Sequence, residues 1–200
     1  MIIGITGGTG SGKSTLLQII AQQGGMILDC DAIYHRLLQT DAALLSAIAK
    51  VFPNTVTDGV LDRKKLGSMV FADASALLAL NQITHAAVRT EVLQCLKSKP
   101  ALAAIDAIGL FEGDLASICD VTVAITAPTE ARIRRIMERD GISESYARSR
   151  IAAQHDDDWF VERCDYVLKN DATAEEFTAK CLVFLRKLGI IEEKTKGEQS

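Results

Sequence analysis

The chain has 200 residues, 48% hydrophobic and 24% charged, with a formal net charge of −4. A chain of this length can build one core burying roughly 70% of its unfolded surface, and the balance of residues excludes a disordered polypeptide. The negative charge excludes a general attraction to nucleic acid or anionic membrane, so neither is expected as a partner and any anionic ligand needs a local positive site.

Five cysteines (Cys30, Cys95, Cys119, Cys164, Cys181) form no C-x-x-C pair, and an odd number cannot all pair within one chain. The apolar stretch in Met1 to Thr6 is too short for a signal-peptide core, and no run approaches the ~18 apolar residues of a membrane span. A cytoplasmic protein with reduced thiols is expected.

In chain order, five short apolar runs predict strands: Ile2 to Ile5, Met26 to Leu28, Ala101 to Ile105, Val121 to Ile125 and Tyr166 to Leu168. They are continuous and not alternating, as in strands buried on both faces of a parallel sheet with crossover helices. The predicted fold is α/β: a P-loop NTPase-like, three-layer α/β/α sandwich around a five-stranded parallel sheet.

The first run leads into Gly7-Gly8-Thr9-Gly10-Ser11-Gly12-Lys13-Ser14, which satisfies G-x-x-x-x-G-K-[ST] between a strand and a helix. Its glycines let backbone N–H groups converge on phosphate oxygens, Lys13 adds a mobile charge, and Ser14 offers a hydroxyl to Mg²⁺. A plain strand-to-helix turn needs one or two glycines and gains nothing from Gly-Lys-Ser. A dinucleotide G-x-G-x-x-G is excluded because Lys13 takes the place of its last glycine. The helix that follows is expected to stop at Gly24-Gly25.

The second run ends in Asp29-Cys30-Asp31, two carboxylates that share a face in an extended chain. Asp31 either orients an attacking hydroxyl or caps the next helix; spacing leaves both open. Residues 31–98 read as a helical insertion of three or four helices without a strand, a candidate acceptor subdomain. Asp106-Ala107-Ile108-Gly109 matches the D-x-x-G element of GTPases, but the Asn-Lys-x-Asp that guanine specificity needs is absent. Asp106 is then a metal-shell carboxylate or a polar strand end.

Thr129 to Asp140 and Ser143 to Gln154 predict a helical pair within a lid at about 129–160. Arg132, Arg135 and Arg139 share one helical face there, suited to charge on a transferring phosphoryl group, Arg139 first and Arg135 second, while solvation beside Glu138 accounts for some of them. Asp156-Asp157-Asp158 cannot converge on a metal from a helix and fits a helix start. His35, His85 and His155 lack metal-ligand spacing. Phe177, Cys181, Phe184, Leu185 and Leu188 mark a final helix by its packing face, and residues 192–200 form a polar tail expected to fray.

Taken together, Ile5 to Thr15, Asp29-Cys30-Asp31, Gly59-Val60-Leu61-Asp62-Arg63 with Leu66 and Val70-Phe71, Leu110-Phe111-Glu112, Arg135, Arg139-Asp140, Arg150 with Gln154, and Cys164 to Leu168 ending at Asn170 resemble the dephospho-CoA kinase family, in order from residue 2 to about 188. The resemblance implies transfer of the ATP γ-phosphoryl to the ribose 3′-hydroxyl of dephospho-coenzyme A, with Mg²⁺. It implies catalytic roles for Lys13, Asp31 and Arg139, and ATP binding by Gly10, Ser11, Gly12, Lys13, Ser14, Thr15 and Asn170, the last near the adenine. Ser14 is the implied metal ligand, and Thr6 and His85 the acceptor contacts. Two departures stand out: His85-Ala86 where the family usually has His-Pro, and Ile108-Gly109-Leu110 where it has Pro-Leu-Leu. The alternatives are a P-loop kinase for another nucleoside or nucleotide, and a nucleotide-dependent regulatory switch.

Overall fold

The structure, a computed structural model, describes residues 1–192 and, for Phe71 and Ala72, the backbone alone. β1 (Ile2–Thr6) enters the glycine loop and α1 (Lys13–Gln22) leaves it, ending where Gly24 takes a left-handed φ of 77°. β2 (Met26–Asp29) passes directly into α2 (Cys30–Thr40), whose cap is Asp29, its carboxylate accepting from Ala32 N at 2.9 Å. Asp41 caps α3 (Ala42–Val51) in the same way.

A short antiparallel hairpin follows, β3 (Val56–Thr57) with β4 (Val60–Leu61). It corrects the strand-free reading of residues 31–98. Asp58 and Gly59, at φ 50° and 76°, make the tight turn that Asp-Gly favours, and strands of two residues are too short to show an alternating pattern. Asp62 caps α4 (Arg63–Ala72) and Asp73 caps α5 (Ala74–Leu96), which buries Leu80, Thr84, Val88 and Val92 at every fourth position.

β5 (Ala103–Asp106) and β6 (Val121–Thr126) are followed by α6 (Thr129–Asp140), which Gly141 ends at φ 64°. Ser143 caps α7 (Glu144–Ala152), and Asp156 caps the short α8 (Asp157–Val161) by accepting from Trp159 N. The triple aspartate therefore sits at a helix start, where its charge suits the helix dipole. After β7 (Tyr166–Lys169), a reciprocal Thr173–Glu176 capping box starts α9 (Ala174–Lys187).

The described residues form one five-stranded sheet in the order β2-β5-β1-β6-β7, with β1 pairing in parallel to β5 and β6, and β6 to β7. Every residue of β6 is buried, which is why its run shows no alternation. On one face Ile3, Ile5, Val123 and Ile125 pack against Leu16 and Ile20 of α1 and Phe177, Cys181, Phe184 and Leu185 of α9. The helical spacing read in the last helix is therefore core packing.

The chain forms two compact units. One comprises Met1–Ile27, Ala101–Ile108 and the described chain from Cys119 to Glu192, and holds the glycine loop, most of the sheet and α6 to α9. The other, Leu28–Pro100 with Gly109–Ile118, is helical, with α2, α3 and α4 packed on the long α5. No helix among the described residues is long and apolar enough to cross a membrane. The tail expected to fray lies, beyond Glu192, outside the described residues.

Candidate active site

The glycine loop joins the C-terminal end of β1 to the N-terminus of α1. Gly12 is the N-cap of that helix at φ 103°, and no side chain caps it. The first N–H groups of α1 therefore lack intrahelical partners and point, with the helix dipole, at whatever lies in front of the loop. Gly12 is required twice over, by its left-handed φ and because a Cβ there would lie 2.3 Å from Asn170 Nδ2. Ser11 is fully buried, and its Oγ finds no hydrogen-bond partner among the described residues.

Lys13, the first residue of α1, folds back over the loop. Its Nζ donates to Gly7 O at 3.0 Å and lies 3.8 Å from Asp106 Oδ1 at the end of β5. A carboxylate beside the loop lysine favours the metal-shell reading of Asp106 over an idle strand end. Asp106 and the exposed Ser14 supply hard oxygen donors of the kind Mg²⁺ takes, and so few protein ligands suit an ion that keeps several waters and binds phosphate oxygens.

The loop carbonyls are held from α6 and from β7. Arg135 donates to Gly10 O at 3.1 Å and Ser11 O at 3.4 Å, and also to Asn170 Oδ1 at 3.2 Å. Asn170 donates from Nδ2 to Ser11 O at 2.8 Å. Arg132, only 3% exposed, donates to Thr9 O at 3.0 Å and pairs with Asp157 at 3.2 Å. Burial pulls the Arg132 guanidinium below its ordinary pKa, against the opposing pull of Asp157, and burial likewise raises the Asp157 carboxyl.

Arg139 is placed differently from its two neighbours. It is largely exposed and forks onto Asp140 at 2.7 and 2.9 Å, and Arg150 donates to the same carboxylate at 2.6 Å. The hydrogen bond from Arg139, with Arg150 also contributing, holds the Asp140 carboxyl down at about 2. Seven residues separate Arg139 from Arg132, roughly 10 Å along the helix, so a shared face does not give shared contacts.

In the helical unit, Asp31 lies in the first turn of α2, exposed, and makes no hydrogen bond or ion pair among the described residues. The capping duty that spacing left open for Asp31 belongs to Asp29. His85 on α5 is half-buried, and a Cβ built on Gly109 would lie 3.5 Å from its Nε2 and 3.9 Å from Glu112 Oε2. Thr6, in the other unit, is fully buried with its hydroxyl donating to Ile108 O at 3.1 Å.

The family model described as dephospho-CoA kinase matches residues 1–176. The chain belongs to the dephospho-CoA kinase family. A relative named dephospho-CoA kinase from Anaeromyxobacter dehalogenans is 36% identical over 90% of this chain and 88% of its own. A crystal structure from Thermus thermophilus superposes with a TM-score of 0.80 at 32% identity, covering 94% of this chain and 97% of that one. The dephospho-CoA kinase from Campylobacter jejuni gives 0.65 at 27% identity over 94% and 96%.

As a member of the dephospho-CoA kinase family, the chain is an ATP-dependent kinase. The structure brings Lys13, Asp106, Arg135 and Asn170 together at the loop and leaves Arg139 at the far end of α6. The two departures from the usual dephospho-CoA kinase pattern meet in space, since Gly109 lies beside His85. Three residues carry more of the loop's geometry than the sequence reading assigned them: Thr9, Gln154 and Arg132. The available signal for Arg132 was its position four residues before the buried Ile136 and one before the buried Ile133, on the flank of the apolar face.

Proposed function

We propose that this chain transfers the γ-phosphoryl group of ATP to the 3′-hydroxyl of dephospho-coenzyme A, the last step of coenzyme A synthesis. One observation carries the reading: a complete phosphate loop, with Lys13 held beside Gly7 O and Asp106, in a chain that the family matches over residues 1–176. The loop from Gly10 to Thr15 takes the phosphates through backbone N–H groups other than those of Ser11 and Thr15, which donate to Gly8 O and Gly12 O. Lys13 leaves its loop carbonyl to follow the β- and γ-phosphate charge.

Asp31 orients the acceptor hydroxyl and accepts its proton late in the transfer; its exposure and lack of partners support this role, and Asp29 is occupied as a cap. His85, with Glu112 and Gly109 beside it, supplies part of the acceptor pocket, and buried Thr6 shapes the strand end through Ile108 O. Arg139 is the lid cation that exchanges Asp140 for phosphate charge. Asn170 serves the nucleotide through the Ser11 carbonyl, since both ends of its amide are engaged by protein.

Mg²⁺ belongs with ATP here, held by the Ser14 hydroxyl and Asp106. When bound, it neutralises charge on the phosphates. The odd number of cysteines, with no C-x-x-C pair, supports a reducing, cytoplasmic setting.

The test is ADP release from Mg²⁺·ATP by the purified protein, with dephospho-coenzyme A, adenosine or AMP as acceptor. Stimulation by dephospho-coenzyme A with coenzyme A as product supports the assignment. Stimulation by another acceptor leaves a P-loop kinase of different specificity. If folded Asp31→Asn kept near-normal turnover, its role as the hydroxyl-orienting carboxylate would be wrong.

A further inference from the structure

The Thr9 residue of the loop is gripped at every polar atom it has. Its N–H donates to Gln154 Oε1 at 2.9 Å, its Oγ1 accepts from Gln154 Nε2 at 2.6 Å, and its carbonyl accepts from Arg132 Nε at 3.0 Å. The rest of the Arg132 guanidinium is held by Asp157 at 3.2 Å and by Gln154 Oε1 at 3.4 Å. Such a cation, 3% exposed and directed at a backbone carbonyl, is not positioned as a phosphate ligand. It is part of the frame behind the loop.

A peptide unit is planar and trans, so the Thr9 C=O and the Gly10 N–H point in opposite directions. Holding the carbonyl therefore fixes the Gly10 N–H on the opposite side of that peptide, pointing away from the Arg132 guanidinium. Gly8 supplies an independent sign of the same arrangement. Its backbone has no left-handed φ, yet a Cβ there would lie 2.0 Å from Arg132 Nη2 and 2.6 Å from Cζ. Neither backbone conformation nor the bare motif requires glycine at position 8; the guanidinium packed across its Cα does.

We propose that Arg132, seated on Gly8 and locked by Asp157 and Gln154, is a positioning residue that sets the Thr9–Gly10 peptide for phosphate binding. The inference rests on the phosphate-loop reading above and adds how the loop is held. It separates three of the four arginines of α6 by duty: Arg132 and Arg135 hold backbone carbonyls, and Arg139 is left for phosphate charge at the helix end.

The experiment compares the wild type with Gln154→Met, Gly8→Ala, Arg132→Met and the Gly8→Ala/Arg132→Met double variant, using calorimetric binding of Mg²⁺·ATP and steady-state kinetics. Gln154→Met removes the clamp on Thr9 from a half-buried side chain of nearly equal volume, so it serves if the Arg132 variant fails to fold. The expected result is roughly tenfold weaker ATP binding and a raised ATP KM for each folded single variant, with the KM for dephospho-coenzyme A unchanged within about twofold. The Gly8→Ala penalty should largely vanish in the Arg132→Met background, because the clash is with the guanidinium. A merely structural role would lower Tm without this KM split or this non-additivity. ATP affinity within about twofold of wild type in folded Gln154→Met and Gly8→Ala would overturn the proposal. Absence of ATP binding by the wild type would instead overturn the phosphate-loop reading.

Discussion

Asn170 reaches across 159 positions of sequence to donate its Nδ2–H to the carbonyl of Ser11 at 2.8 Å, while its Oδ1 accepts from Arg135. Only 6% exposed, it ties the end of β7 to the phosphate loop. Asn170→Asp keeps the shape and the acceptor for Arg135 but sets a carboxylate oxygen against the Ser11 carbonyl. We expect a loss of about 1–3 kcal/mol in stability, read as a lower urea midpoint, together with weaker ATP binding. An unchanged midpoint would mean that the amide–carbonyl bond contributes nothing.

Lys13 and Asp106 give a prediction of opposite kind. The side chains are mostly buried, at 14% and 20% exposed, but at 3.8 Å the charges are beyond hydrogen-bond reach, so the pair should contribute about 1–2 kcal/mol to stability. Lys13→Met should therefore lower Tm by only about 5 °C or less while reducing kcat/KM for ATP by about a hundredfold or more. Circular dichroism melting and steady-state kinetics on one preparation decide this; parallel losses of both would assign Lys13 a structural role instead.

The Asp140 carboxyl, held at about 2 chiefly by Arg139 and then by Arg150, sets an acid limit for the end of α6. Its folded pKa is depressed below the ordinary carboxylate value, so its contribution is fully present above about pH 4 and is lost as pH falls through about 2. The carboxyl carbon of Asp140, followed by NMR, should titrate near pH 2 in wild type and move upward in Arg139→Gln. A midpoint near 4 in wild type would show that the fork onto Asp140 is not formed in solution.

Three thiols should resist alkylation. Burial, with Asp120 and Asp165 adding to it, pushes Cys119 up to about 12, and burial pushes Cys164 and Cys181 up to about 11. At pH 8 the thiolate is then roughly a thousandth of the population or less. Iodoacetamide at that pH should label these three far more slowly in the native protein than in urea, by peptide mass spectrometry. Prompt native labelling of any of them would contradict the burial seen here.

The five strands of the main sheet, the phosphate loop and the helix starts after that loop, at Thr129, at Ser143 and at the triple aspartate were legible because each is written in contiguous residues. Continuous apolar runs marked the strands, G-x-x-x-x-G-K-S marked the loop, and Ser143 and the triple aspartate stood at helix starts. The β3–β4 hairpin escaped because its strands are too short for a pattern, although Asp58-Gly59 carried the turn. Asp31 and Asp29 could not be told apart by spacing, since both lie within two residues of the helix start and only backbone geometry decides which carboxylate meets Ala32 N.

Arg132, Arg135 and Arg139 of α6 mark the boundary most clearly. Their spacing determined a common helical face, and the ordered motifs determined the family and its chemistry. Only the tertiary structure decided that Arg132 would be buried against Thr9 and Gly8, that Arg135 would meet Gly10 and Ser11, and that Arg139 would turn to Asp140. Helical periodicity specifies direction around an axis; which partner lies there, more than a hundred residues away in sequence, depends on how α6 packs beside the loop.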